Sequence, residues 1–586
     1  MCGIAGIMTS SGTAPDRAAI EAMQNALIHR GPDGAGMHFA DSVGMAQRRL
    51  AIIDLETGDQ PFTLDDGTAL IANAEIYNYL ELKRDMPDTS FSSASDCEVP
   101  LHLYRRDGVA FSKSLRGMYA IAIHDPAARR LVLSRDPFGI KQLYYAEGPF
   151  GFAFASEPQA LIASGLVTAD VRPKAATELL QLQFTTGAET VMSGIFRVLP
   201  GETLIVESGR IARRLQHPAL PEGAPEDIDE QTALERIEAA LVDSVTVHQR
   251  SDVPYGMFLS GGVDSSAVLA LMARLNDRPV QAFTVGFSDT RAVDERAAAQ
   301  AIALALGAEH VEIDFTESDF WATVPKVALA MDDPVADYAE LPTFKLAAAA
   351  SRDLKVILCG EGGDELFGGY GRYRSVMRPW WRYRRAMRSR GAVEGLGIMR
   401  DESRDWRSGV SVSESVAGSD GRSRLQIAQA TDCADWLPHD LLIKLDRCLM
   451  AHGVEGRTPM LDPVVAEAAF LLPDTLKVRG RIGKWILRRW LSNTLPESKP
   501  FGRKHGFTVP VGEWIMRKGD QLGPLVARQR GIADLCRPEG VEAVFRSSGR
   551  RAGFAAWVLL FYALWHRQHI EGITGDGDAF EVLANG

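Results

Sequence analysis

Tyr255-Gly256-Met257-Phe258-Leu259-Ser260-Gly261-Gly262-Val263-Asp264-Ser265-Ser266 sets the architecture of the larger part of this chain. An apolar run, a Gly- and Ser-rich turn and a helical pattern follow one another without a gap, which predicts strand Tyr255–Leu259, a tight loop and a helix. Glycines let backbone N–H groups approach phosphate oxygens, serine hydroxyls add donors, and the next helix points its positive end at the anion. The turn lacks the GxxxxGK[ST] spacing of a Walker loop, and Asp264 stands inside it. A carboxylate beside phosphates needs an intervening cation, so Asp264 reads as a Mg²⁺ ligand.

The surrounding pattern continues the theme. A helix over 232–247 precedes the turn; strand 281–286, helix 295–306, strand 310–313 and strand 355–359 follow it. Strands alternating with helices predict a doubly wound parallel sheet covered on both faces. The strand at 355–359 ends in a second turn, Cys359-Gly360-Glu361-Gly362-Gly363-Asp364-Glu365-Leu366-Phe367-Gly368-Gly369-Tyr370. Acidic residues at a strand's carboxyl end suit a ligand crevice, with Asp364 as a second metal contact and Glu361 as a base. Lys484, in Gly483-Lys484-Trp485, is a candidate to neutralise charge on a reacting phosphoryl group. Beyond the second turn the chain reads as mostly helical. The Arg-rich stretch 372–407, with Trp380-Trp381, is expected to be an amphipathic helix with solvated arginines.

The first third has another texture. Short strand-like runs (43–46, 69–72, 119–124, 131–134, 152–155) are broken by Gly, Pro and Asp, with amphipathic helices at 18–28 and 96–106. This predicts α+β layers over residues 1–212, a Pro- and acid-rich linker at 213–230, and the α/β unit over 231–586. The chain opens Met1-Cys2-Gly3-Ile4-Ala5-Gly6. Removal of Met1 would place a thiol and a free amine on one residue, a nucleophile with its own base. Arg49 can clamp a carboxylate, Asn73 can donate an amide N–H, and Glu75 and Asp96 can hold an ammonium, which together match a zwitterionic amino acid.

In order along the chain, Met1–Gly6, Arg30-Gly31-Pro32-Asp33-Gly34, Arg49–Asp54, Asn73–Asn78, Ser95-Asp96 and Ser134–Gly139 resemble class II glutamine amidotransferases of the N-terminal-nucleophile type. The resemblance implies a four-layer αββα fold that hydrolyses glutamine. It assigns Cys2 as nucleophile, Asn73 and the Ala74 N–H as oxyanion donors, and Arg49, Leu50, Ile52, Asn73, Glu75 and Asp96 as glutamine contacts. Ala74 stands where the family usually has Gly. The SGGxDS turn resembles the PP-loop ATP pyrophosphatases, which release AMP and pyrophosphate.

The whole chain resembles the B-type glutamine-hydrolysing asparagine synthetases. That resemblance implies ATP and Mg²⁺ as cofactors and an ATP site of Leu259, Ser260, Gly261, Gly262, Asp264, Ser265, Val285, Gly286, Cys359 and Gly360. It implies Mg²⁺ at Asp264 and Asp364, Glu361 as base or positioning group, and Lys484 as stabiliser of adenylation. Glutamine and aspartate are the implied substrates, with another carboxylate on a polysaccharide or natural-product precursor as the alternative acceptor. Cys359 replaces a frequent Ser, and Gly456-Arg457-Thr458-Pro459-Met460 replaces the usual Ala-Arg-Val-Pro-Phe near the expected acceptor region.

Composition narrows the partners. The 586 residues are 46% hydrophobic and 24% charged, with net charge −12, so the whole chain offers nucleic acid no electrostatic attraction. Six cysteines without CxxC spacing argue for a reducing cytoplasm and against a disulfide frame or structural zinc. The longest apolar run, 555–565, is too short to span a bilayer and reads as a buried helix. Small molecules are therefore the expected partners, with neither nucleic acid nor membrane, and a homodimer is compatible with this composition.

Overall fold

The computed structural model describes residues 2–584 except 289, 291–293, 379–385, 404, 419–420 and 503–508. The amino-terminal part stacks two six-stranded antiparallel sheets. One has the order β10-β8-β9-β1-β3-β2, built from β1 (Gly3–Thr9), β2 (Gly34–Ala40), β3 (Val43–Arg49), β8 (Tyr144–Gly148), β9 (Gly151–Ala155) and β10 (Phe196–Arg197). The other has the order β12-β11-β7-β6-β5-β4, from β4 (Phe62–Thr63), β5 (Ala69–Ile76), β6 (Gly117–Asp125), β7 (Arg130–Arg135), β11 (Glu202–Glu207) and β12 (Arg210–Gln216). The expected boundary at residue 212 falls inside β12.

Side-chain alternation sorts the layers. Ile4 and Met8 of β1 meet Ala69 and Ile71 of β5 between the sheets. Ala5 and Ile7 face outward onto helices Arg17–Ala26, Pro158–Ala163 and Pro173–Leu182. Leu70, Ala72, Ala74 and Ile76 face outward on the other side, onto helices Tyr79–Arg84 and Val99–Asp107. The result is the four-layer αββα stack. Parity also fixes the chemistry: Cys2, in phase with Ile4, and Asn73, in phase with Ile71, both point between the sheets.

The second part is a five-stranded, wholly parallel sheet of order β15-β14-β13-β16-β17. Its strands are β13 (Tyr255–Phe258), β14 (Gln281–Gly286), β15 (Glu309–Asp314), β16 (Val356–Leu358) and β17 (Glu455–Arg457). The strand order reverses between β13 and β16, so the crevice outside their carboxyl ends is the ligand position for this topology. The two Gly-rich turns leave the sheet at that point. β17 is a strand that the sequence reading does not contain: three residues, two of them charged, carry no alternation. The run 555–565 lies in helix Arg550–His569 and is buried throughout; each such large apolar side chain contributes roughly 1.5–3 kcal/mol.

The stretch 372–407 is not one solvated amphipathic helix. Its described residues form helix Gly371–Val376 and a short 3₁₀ turn at 405–407, and Trp380-Trp381 lie outside the described residues. Arg372 stacks on Tyr370 (3.8 Å) and bonds Asp432 (2.7 Å), and Arg388 lies over Trp436 at 3.6 Å. Aromatic faces and a buried carboxylate hold these guanidiniums, so the charges point inward.

The two parts meet across a seam of buried charge. Arg30 bonds Asp446 through two nitrogens (2.7 and 3.0 Å) and Glu157 at 2.7 Å. Arg447 joins Asp446 (2.7 Å) and Asp332 (2.8 Å), and Arg197 forks onto Asp333 with two bonds of 2.7 Å. Bidentate charge-assisted geometry is what makes a buried pair tolerable. Tyr77 packs against His248 with ring centroids 3.9 Å apart. Removing one member of such a network strands the others. Arg447→Met should therefore lower unfolding stability by about 3–5 kcal/mol in urea melts. Burial holds the His248 imidazole down to about 3, whereas a free imidazole titrates near 6.5. Below about pH 6.5 the unfolded chain takes up a proton that the native ring refuses, so this group makes stability fall as pH drops. In His248→Asn that contribution vanishes, and the urea midpoints of variant and parent should converge between pH 7 and pH 5.

Candidate active sites

Between the amino-terminal sheets, Cys2 is buried, and its backbone nitrogen donates to Asn73 Oδ1 at 2.9 Å. The same amide leaves Nδ2 buried with no acceptor, a donor available to an oxyanion. Ala74 lies within β5 without a positive φ. Its methyl group points into the outer helix layer, so the exchange of Gly for Ala costs no strain. The Ala72 and Ile76 N–H groups, in phase with Ala74, are taken by Gln60 Oε1 (2.6 Å) and Asp96 Oδ2 (2.7 Å) along the strand's open edge. The Ala74 N–H faces that edge between them. Burial pushes the Cys2 thiol up, against the lowering effects of the Leu50 N–H and Gln47.

The expected glutamine contacts are arranged less simply. Arg49 bonds Asp59 Oδ1 at 2.8 Å and the carbonyl of Asp54. Asp59, an exposed carboxylate, fills the role foreseen for a substrate carboxylate. Leu50 and Ile52 are buried in the apolar core shared with the parallel-sheet part, so their side chains serve packing. Glu75 does not face an open ammonium site: its Oε2 lies 2.8 Å from Arg457 Nη2, contributed by β17. Burial drives the Glu75 and Asp96 carboxyls upward.

Arg457 goes further. It bonds Glu455 through Nε (2.7 Å) and the carbonyls of His248 and Arg250 through Nη1 (2.8 and 2.7 Å). Glu455 in turn reaches Lys141 at 4.0 Å. Burial opposes ionisation of Glu455, yet the cations around it hold it at about 2. The residues around Arg457 do not line the cavity at the switch point of the parallel sheet. Gly456 abuts Leu445 and Leu449, and Met460 is buried in the core. At Gly456 and Met460 the departure is thus a packing feature of the seam.

At the switch point of the parallel sheet lies a cavity of about 310 Å³, within the size range of small-molecule sites. Leu259, Ser260, Gly262, Asp264, Ser265, Val285, Cys359, Gly360, Glu361 and Asp364 line it. Gly261 and Gly286 stand outside that wall: Gly261 adopts φ +68° and turns toward Ala298 and Ala299, and Gly286 backs onto Arg296. The positive φ is the backbone reason for glycine at 261.

Asp264 and Asp364 converge on one point. Both carboxylates meet Lys484 Nζ, Asp364 at 2.8 Å. Lys484 is buried at φ +56°, a conformation that costs a non-glycine residue of order 1–3 kcal/mol and persists when its surroundings demand it. Burial lowers its ammonium and the two carboxylates outweigh that, raising it. Lys484 thus caps its helix from inside the site, not from solvent. Two carboxylates sharing one cation suit Mg²⁺, which takes one or two carboxylates and completes its shell with phosphates and water.

A model of the asparagine synthase family matches residues 236–567, and one of the glutamine amidotransferase domain matches residues 1–217. The chain belongs to the asparagine synthase family. It is 30% identical to asparagine synthetase [glutamine-hydrolyzing] 1 of Bacillus subtilis, over 97% of each chain. It is 33% identical to a putative asparagine synthetase [glutamine-hydrolyzing] of Mycobacterium bovis, over 97% of this chain and 98% of that one. Amidase chry2 of Gibberella zeae is 28% identical over 82% of this chain and 84% of that one. The chain is a carbon–nitrogen ligase of the asparagine-synthetase type with a glutamine amidotransferase domain. Among the described residues no helix is long and apolar enough to cross a membrane.

Sequence reasoning did not assign roles to Lys141, Glu455, Arg457 or Lys444. The signal available was a charged residue inside an otherwise buried string, as in Gly453-Val454-Glu455-Gly456-Arg457. The oxyanion assignment has a direct check. Asn73→Ala keeps the thiol and removes Nδ2, and should lower glutaminase kcat roughly 10²–10³-fold. Synthesis from added ammonia should stay at the parental rate in the same steady-state assay.

Proposed function

We propose that this chain makes asparagine from aspartate, glutamine and ATP, releasing glutamate, AMP and pyrophosphate. The observation that carries the reading is the pairing of two sites: a cysteine set against an asparagine amide, and a carboxylate- and lysine-lined cavity at the sheet's switch point. The glutaminase unit ends with β12, and the ligase unit begins with helix Glu230–His248.

After loss of Met1, the Cys2 amine takes the thiol proton as sulfur attacks the glutamine side-chain carbonyl. Asn73 Nδ2 and the Ala74 N–H receive the oxyanion. The proton passes to the leaving ammonia, and water then splits the thioester to glutamate. Arg49 exchanges Asp59 for the glutamine carboxylate, and Asp96 offers its carboxylate to the amine. In the second unit the aspartate β-carboxylate attacks the α-phosphorus and pyrophosphate departs. Lys484 balances the charge that develops there, and Asp264 and Asp364 would hold Mg²⁺, whose chemistry is to neutralise pyrophosphate charge. Ammonia attacks the acyl-adenylate, AMP leaves, and Glu361, raised by burial despite Lys444, takes the proton. A water-poor path through the seam keeps ammonia unprotonated and close to its target.

A second reading, amidation of another carboxylate, is favoured only by the likeness to an amidase. Incubation with glutamine, aspartate, ATP and Mg²⁺ separates the two: the proposal expects asparagine, AMP and pyrophosphate in equal amounts. Cys2→Ala should abolish glutamine-dependent product and retain the ammonia-dependent one. Release of ADP and orthophosphate, or loss of both activities together, would overturn the scheme.

A further inference from the structure

Beside the nucleotide cavity lies a group of carboxylates that the scheme above leaves unused. Asp337 and Glu340 come from the turn and first residue of helix Glu340–Ala350, and Asp440 from the π-helix Asp432–Leu441. π-helical turns are rare and concentrate at functional sites. Glu340 and Asp440 have no exposed surface. None of their four side-chain oxygens receives a hydrogen bond from the protein. Each adjoins in sequence a residue that lines the cavity, Ala339 and Leu441 respectively.

Among the described residues, no nearby cation bonds Glu340 or Asp440. Lys444, itself a cavity residue, binds Asp337 at 2.9 Å and lies in the field of Glu361 and Asp440. Arg372 is held by Asp432 at 2.7 Å, and Arg388 lies over the Trp436 ring. Four carboxylates (Asp337, Glu340, Glu361 and Asp440) share Lys444 in a desolvated space, and Arg388 and Arg372 add their field at Asp440 without bonding it. Burial first, and then the neighbouring anions, push the Glu340 and Asp440 carboxyls well up. Such a pair attracts a hydrogen-bonding cation, because burying carboxylates without a partner is costly.

We propose that Glu340 and Asp440 seat the ammonium group of the acceptor, so that the carboxylate amidated here belongs to an amino acid or another amine-bearing molecule. This rests on the reading of the cavity as the adenylation site. The amine supplies the missing donors, and Lys444, in the field of both Asp440 and Glu361, links this pair to the group placed beside the reacting carboxylate. A uronate or other amine-free acceptor would leave both carboxylates unpaired, which discriminates against it.

The test is calorimetric binding to the full-length protein in the presence of a non-hydrolysable ATP analogue, with L-aspartate and succinate as a matched pair. The parent should bind aspartate at least tenfold more tightly than succinate. Asp440→Asn, and separately Glu340→Gln, should weaken aspartate about tenfold and leave succinate unchanged. The isosteric Glu340→Gln keeps the test available if Asp440→Asn does not fold. Equal affinity for the two ligands, no binding of either, or parallel weakening of both in the variants would overturn the proposal. AMP release, measured alongside, keeps the two ideas apart. Binding that depends on Asp440 without AMP keeps the seat and removes the adenylation reading. AMP formation from aspartate that is indifferent to both variants does the reverse.

Discussion

The structure depends on Arg457. Its backbone carbonyl accepts from the N–H of Cys359, a residue of the switch-point cavity, at 2.8 Å, while its guanidinium reaches Glu75, two residues beyond Asn73. One residue thus fixes the end of β17 to β16 and the end of β5 to the parallel sheet. No exposure remains at Arg457 or Glu455, and Glu75 is almost fully buried. Charges taken this far out of water stay charged only if every partner is in place. The positions of the two chemical centres are therefore set jointly and not by each part alone.

The rest of the seam follows the same rule. The helix Leu442–Met450 carries Lys444 at the switch-point cavity and Asp446 between Arg447 and Arg30, whose Nε also donates to the Cys2 carbonyl at 3.2 Å. A hydrophobic seam of equal area would hold the parts as firmly, since buried ion pairs add little net stability. What the charged seam adds is directionality: forked Arg–carboxylate bonds admit one relative placement, where apolar contact admits several.

The fold was legible in the sequence wherever periodicity or turn chemistry was strong. The strand-like runs at 69–72 and 119–124 and the two strand–turn units at Tyr255–Ser266 and 355–370 are local signals, and the turns place Asp264 and Glu361 without reference to anything distant; Cys2 and Asn73 stood out by residue type and by the family resemblance. The misses share one cause. Glu455, Arg457 and Lys141 matter through partners hundreds of residues away, and a single charged residue in a short strand has no local signature. Arg372 and Arg388 read as solvated because a guanidinium usually is; stacking on Tyr370 and Trp436 is a tertiary fact. Glu75 shows the same limit from the other side: its type suited an ammonium, and the fold gave it an arginine.

A ligase built on a shared, water-poor seam should hand ammonia across without letting it mix with solvent. The direct measurement is isotope partitioning with amide-¹⁵N glutamine in the presence of excess unlabelled ammonium. The account predicts that the product amide keeps the ¹⁵N label in the parent enzyme and loses it in Arg457→Met, where the joint between the centres is cut. Label diluted in the parent to the ratio of the bulk pool, or retained undiminished in Arg457→Met, would contradict it.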